Sequence, residues 1–141
     1  MNNNILLGGI VLALATFGAA AENAAMAPAK NAMKASKSGE VSFKSDIQPI
    51  LRDHCISCHH PGASGYQKSG LDLTSYETLM KGTVFGKVVI PGDSASSTFT
   101  KLLTGTNKGL KMPMGLNAEG TLDRQYILLM RNWVKQGARN N

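Results

Sequence analysis

The chain has 141 residues, 43% hydrophobic and 17% charged, with a formal net charge of +6 at neutral pH. That length admits one small domain once any targeting segment is set aside. Only two cysteines are present, which excludes a disulfide-stapled scaffold.

The pass along the chain begins with an apolar run, Ile5 to Phe17, followed by Gly18-Ala19-Ala20-Ala21-Glu22. An apolar stretch ending in small residues reads as a secretory signal cut after Ala21, with Ala19-Ala20-Ala21 as the A-x-A site. An uncleaved anchor is the alternative, and Ile5 to Ala21 falls short of the roughly 20 residues that a spanning helix needs. Residues 22–40 are rich in Ala, Asn, Ser and Lys and hold no aromatic or β-branched residue. Such a composition buries too little apolar surface to offset chain entropy, so it reads as a flexible linker. The folded domain is then residues 41–141. A chain this short buries a modest core, to which a planar apolar cofactor would add hydrophobic mass.

Ser45, with Gln48 three residues on and Pro49 near the first turn, predicts a helix carrying Ile47, Ile50 and Leu51. It runs directly into Cys55-Ile56-Ser57-Cys58-His59. C-x-x-C-H is the attachment sequence of a c-type haem. Two sulfurs one helical turn apart reach the two vinyl groups on one porphyrin edge, and the next residue points its imidazole at the iron. Cys55 and Cys58 are therefore the expected thioether residues and His59 the proximal ligand. A redox disulfide would need a βαβ context that is not found. A closed zinc site would need further ligands, and neither more cysteines nor distant histidines exist to supply them. Haem of this type is attached after export, so the N-terminal segment and the motif support each other.

Downstream, Pro61 to Gly65 and Gly70 predict sharp turns beside the haem site. A carbonyl of this stretch is expected to accept the Nδ1 proton of His59 and raise its basicity. Thr74 with Glu77 predicts a second helix, stopped by Gly82. Val88-Val89-Ile90 reads as extended chain on a haem face or edge, ended by Pro91-Gly92. A third helix is expected from Ser97 to Thr104, ending at Gly105. The last is the clearest: Thr121 as cap, Asp123 in the first turn, Gly137 at the end, and Tyr126, Ile127, Leu129, Met130, Trp133 and Val134 at helical spacing. Trp133 reads as core. The fold class expected is all-α, a small set of helices with long loops wrapped around one covalent haem.

A low-spin haem needs a sixth ligand, and His54 and His60 are too close to the motif to reach the opposite face. Methionine is the usual soft alternative and raises the haem potential. Of the seven methionines, Met1, Met26 and Met33 precede the domain, while Met80 and Met130 fall on apolar helix faces. Met112 and Met114 remain, in the loop Gly109-Leu110-Lys111-Met112-Pro113-Met114-Gly115, and spacing alone hardly separates them.

Over nearly all of residues 43–138 the chain resembles a monohaem class I cytochrome c, specifically the planctomycete-type cytochrome c domain. The matching pieces are Asp46-Ile47-Gln48-Pro49-Ile50-Leu51 before the motif, Gly70-Leu71-Asp72-Leu73, Val89-Ile90-Pro91-Gly92-Asp93 with Ser97, Lys111-Met112-Pro113, and Trp133 to Ala138. The resemblance implies a Met-Pro-Pro loop whose methionine faces the iron, which maps onto Met112. This chain departs from the pattern with Met114 in place of the second proline and His60 where glycine commonly follows the motif.

The function expected is that of a periplasmic electron carrier with one haem c, not an enzyme. The alternatives are a five-coordinate haem for gas binding or sensing, or a haem subunit of a larger oxidoreductase complex. Residues 1–21 hold no Lys, Arg, Asp or Glu, so the processed chain keeps its +6 side-chain charge. Lys108 and Lys111 flank the ligand loop and point to a redox partner with an acidic docking surface. No nucleic-acid partner is expected, a membrane association only if the N-terminal segment is uncleaved, and a monomer is the simplest state.

Overall fold

The computed structural model describes residues 39–115 and 122–141. The expected signal segment, nearly all of the linker, and Thr121 lie outside them. Among the described residues the regular elements are all helical, as expected for an all-α chain: α1 (Gln48–His54), α2 (Ser64–Ser69), α3 (Tyr76–Lys81), α4 (Thr98–Thr104) and α5 (Arg124–Lys135). Two isolated bridges, Thr83 with Gly86 and Asn107 with Leu110, close tight turns and build no strand.

The first helix begins earlier than Ser45. A single wide turn, Phe43–Ile47, runs continuously into α1, with the Ile47 N–H donating to the Ser42 carbonyl at 3.2 Å. Ser42 is the cap: its hydroxyl accepts from Ser45 N–H, and its own N–H donates to Asp46 Oδ2 at 2.8 Å. Asp46 is buried, and this bond satisfies a carboxylate that would otherwise be costly there. The second capping box also shifts by one residue. Ser75 and Thr78 hold the start of α3, because Thr74 is drawn into a turn on the Asp72 carboxylate at 2.7 Å and 2.9 Å. Likewise Asp123 caps α5 rather than sitting in its first turn, accepting from Gln125 N–H at 2.7 Å. The third helix starts and stops as expected, with Gly105 left-handed at φ +70°.

The core forms where the start and end of the domain cross. Phe43 meets the ring of Tyr76 edge-on at 5.2 Å and that of Trp133 at 5.5 Å. Ile47, Leu51, Leu79, Val89, Met130 and Val134 pack around them, fully buried. Trp133 is thus core, as expected, and its indole N–H donates to the Arg139 carbonyl at 2.9 Å. The C-terminal tail then closes the crossing. Tyr76 hydroxyl donates to the Ala138 carbonyl, and Lys44 N–H and Ser42 hydroxyl both donate to the Asn141 carbonyl. Arg139 pairs with Glu40 at 2.9 Å, so the folded unit already includes Glu40. This crossing fixes α1 and so the point where α1 delivers the chain to Cys55.

Val88 and Val89 are buried in this core, while Ile90 turns outward. Ser97, expected only to open α4, instead turns inward. Its hydroxyl accepts from Ile90 N–H at 2.9 Å and donates to the Asp93 carbonyl at 2.7 Å, tying the apolar run to the helix start.

Candidate functional site: the C-x-x-C-H segment and the methionine loop

Helix α1 ends at His54, and the chain continues into one more turn. Cys55 and Ile56 donate their N–H groups back to the Leu51 carbonyl, and His59 N–H points to the Cys55 and Ile56 carbonyls at 3.1 Å each. The two thiols therefore lie one turn apart on one short segment, Cys55 half-buried and Cys58 exposed. Burial, with Cys58 adding to it, pushes the Cys55 thiol up to about 12. It is a neutral sulfhydryl rather than a reactive thiolate, inert until a vinyl group is presented to it.

The next residues hold His59 from behind. The Tyr66 N–H, in the first turn of α2, donates to the Cys58 carbonyl at 3.1 Å, and the Leu73 N–H donates to the His59 carbonyl at 2.9 Å. Gly65 permits this. A Cβ there would stand 2.7 Å from the Cys58 oxygen, 2.8 Å from His59 Cε1 and 3.0 Å from His59 Nδ1. The helix backbone thus lies flat against the imidazole in a space that no other residue type leaves open. Sequence reading placed Gly65 in a turn and missed both α2 and this role. Nothing in Ser64-Gly65-Tyr66-Gln67-Lys68-Ser69 has helical apolar spacing, and the start of the helix is tied down by the Tyr66 N–H finding the Cys58 carbonyl of the motif.

Burial lowers the proton affinity of His59, and a backbone contact with the Leu71 carbonyl partly restores it. The ring is therefore held neutral, as a metal ligand must be. Its Nδ1 is buried and makes no hydrogen bond of normal geometry. The carbonyl nearest that edge is Leu71, one residue past the stretch from Pro61 to Gly70 that was expected to supply it. With Nδ1 turned into the protein, Nε2 is the nitrogen left to ligate.

The other histidines are otherwise engaged. His54 packs on the ring of Tyr126 at 5.6 Å, and His60 Nδ1 lies 2.9 Å from the Pro61 carbonyl. Among the described residues no three His, Cys, Asp or Glu side chains converge as a metal site. Two sulfurs on one turn, a neutral imidazole beside them and a glycine cradle behind it fit a covalent haem.

The methionine loop hangs from α4. Met112 N–H donates to the Leu102 carbonyl at 3.0 Å, and Lys111 lays its side chain across Gly105, where a Cβ would meet its Cε at 2.9 Å. Met112 is half-buried, whereas Met114 is 69% exposed. Met80 is packed against the core and Met130 is fully buried within it, as expected. Lys108 is exposed at the tip of the loop. A cavity of about 230 Å³ between α4 and Arg131, lined by Lys101, Thr104 and Thr106, contains none of the residues singled out by the motif.

The family model described as planctomycete cytochrome C matches residues 55–113, from the first cysteine of the motif to the proline after Met112. The resemblance seen in the sequence is thereby borne out over that stretch. No curated protein and no solved structure matches the chain. A cytochrome c domain carries haem c and transfers electrons, and Cys55 and Cys58 have the spacing of its attachment sequence. Such domains are typically exported. Among the described residues no helix is long and apolar enough to cross a membrane.

Proposed function

We propose that this planctomycete-type cytochrome c domain serves a periplasmic carrier of single electrons, with one haem c bound through Cys55 and Cys58. His59 is the proximal ligand through Nε2 and Met112 the distal one. The observation that carries this reading is the cradle behind His59: a half-buried, neutral imidazole set between Gly65 and the Leu71 carbonyl, directly after two thiols one turn apart. An imidazole prevented from turning suits an iron that must keep its ligand in both oxidation states. The haem, when bound, supplies a metal that takes up and releases one electron with little rearrangement.

The chain's own residues do the rest. Gly65 and the carbonyl bonds to Cys58 and His59 orient the proximal ring. Half-burial of Met112, set against the exposure of Met114, supports the former as the sulfur ligand. Lys108 and Lys111 give the ligand loop a positive face for an acidic redox partner, so reduction rates should fall as salt rises. The chain performs no bond chemistry on a substrate in this reading, and it acts as a monomer.

The test is made on exported, purified protein. Its mass should correspond to the chain cut after Ala21 plus one haem. The oxidised form should show the weak red methionine–iron charge-transfer band, and the reduced form should resist carbon monoxide. A colourless product would refute the cofactor, whereas ready carbon monoxide binding without that band would instead establish a five-coordinate gas-binding haem.

A further inference from the structure

The turn Lys81-Gly82-Thr83-Val84-Phe85-Gly86-Lys87 belongs to no part of the site described above. It holds two large apolar side chains in the open, Val84 at 75% and Phe85 at 83% exposure. It is not a slack loop. Thr83 and Gly86 exchange backbone hydrogen bonds at 2.9 Å and 3.1 Å, and the Thr83 hydroxyl accepts from Phe85 N–H at 3.1 Å and donates to the Gly86 carbonyl at 3.0 Å. Gly82 lets the two arms close, since a Cβ there would stand 2.5 Å from the Gly86 oxygen. Val84 N–H is anchored to the Ser69 carbonyl of α2 at 3.0 Å. A rigid hairpin tip therefore presents Val84 and Phe85 as a knuckle.

Its surroundings are of one sign. Lys81 and Lys87 flank the tip and Lys68 adjoins its anchor on α2, all three exposed. Residues 78–92 contain no Asp or Glu, and among the described residues the ion pairs, Arg52 with Asp53 and Arg139 with Glu40, involve none of these lysines. The turn leans on the end of α2 through the Val84–Ser69 bond, whereas the start of that helix, at Gly65, is what lies against His59.

We infer that the Val84–Phe85 knuckle is a membrane-surface contact, inserting its two apolar side chains among the headgroups of an anionic bilayer while Lys68, Lys81 and Lys87 meet lipid phosphates. A narrow protruding tip with flanking cations matches the interface of a bilayer, where apolar side chains gain burial and ammonium groups stay wet. A flat apolar patch would match a protein partner better. Because the hydrogen-bonded turn is already ordered, insertion costs little conformational entropy.

Sedimentation of the exported holoprotein with vesicles tests this, comparing phosphatidylcholine alone with mixtures containing phosphatidylglycerol. The wild type should bind the anionic vesicles and not the neutral ones. Val84→Ser with Phe85→Ser should lower the partition coefficient roughly tenfold, with an unchanged visible spectrum showing that the haem site is intact. Lys81→Gln with Lys87→Gln should weaken binding several-fold and flatten its dependence on salt. Absence of wild-type binding, or equal binding by the serine variant, would overturn the inference. A serine variant that binds vesicles normally but exchanges electrons slowly with its redox partner would assign the knuckle to a protein instead. All variants share the same N-terminus, so any anchoring by that segment cancels in the comparison.

Discussion

The two sides of the site are built by different means. On the proximal side, His59 is held by its neighbours in the chain: α1 leads into the motif, α2 folds back on Cys58 and His59, and Gly65 and Leu71 bracket the ring. On the methionine side, one backbone bond from Met112 to Leu102 and the Lys111 side chain over Gly105 tie the loop to α4. The His59 side chain is bracketed within a short stretch of chain, whereas the methionine loop is held to α4 by one backbone bond and one side chain. The latter depends on how far a loop reaches across the fold.

Four experiments sharpen that contrast, and the largest effect lies in the attachment itself. Cys55→Ala or Cys58→Ala should leave one thioether at most, and the double variant none, read as haem lost from the denatured protein. His59→Ala should abolish the low-spin spectrum even where haem remains attached.

Next comes the methionine side. Met112→Ala should lose the red charge-transfer band and admit carbon monoxide to the reduced protein, while Met114→Ala, at a 69% exposed position, leaves both unchanged. The reverse pattern would move the ligand by two residues.

Gly65→Ala should act through His59 rather than through chain entropy, because its Cβ has no room. A loss of about 1–3 kcal/mol of stability is expected from overpacking. It should come with a perturbed low-spin spectrum, whereas an unaltered spectrum would show that α2 does not position the ring.

The smallest effect concerns the turn that opens α4 and so supports the methionine loop. Asp93 accepts from the Ser96 and Ala95 N–H groups, and the bonds from Ser96, then that from Ala95 and the nearby Lys101 charge, hold its carboxyl below the usual range. A depressed carboxyl contributes stability above the ordinary value of about 3.9, and loses it as pH falls through the lower folded value. Asp93→Asn should therefore melt slightly lower at neutral pH, with the gap closing in acid. A gap independent of pH would mean that the carboxylate charge contributes nothing.

Much of this was legible from residue order, and the failures share a cause. The helix stops at Gly82 and Gly105 are local, and both fall where they were expected. The helix starts slipped by a few residues, from Ser45 to Ser42 and from Thr74 to Ser75. Each of those segments offers several capping residues in a row, and tertiary burial chooses among them. Asp46 is drawn into the core and reaches back to Ser42, while Asp72 captures Thr74. Helix α2 was invisible because its first turn is anchored on a carbonyl of another segment, that of Cys58.

Residue order by itself determined the C-x-x-C-H spacing, two thiols and an imidazole within five residues, which is the attachment sequence of a c-type haem. It also determined the helical class and the place of Trp133 in the core, through apolar spacing. Only the tertiary structure decided that Gly65 leaves space for the His59 ring, that Leu71 supplies the carbonyl behind it, and that Met114 faces solvent while Met112 is half-buried. Those outcomes are distances between groups that only the folded backbone brings together. Packing sets such distances, and no local pattern of residues encodes them.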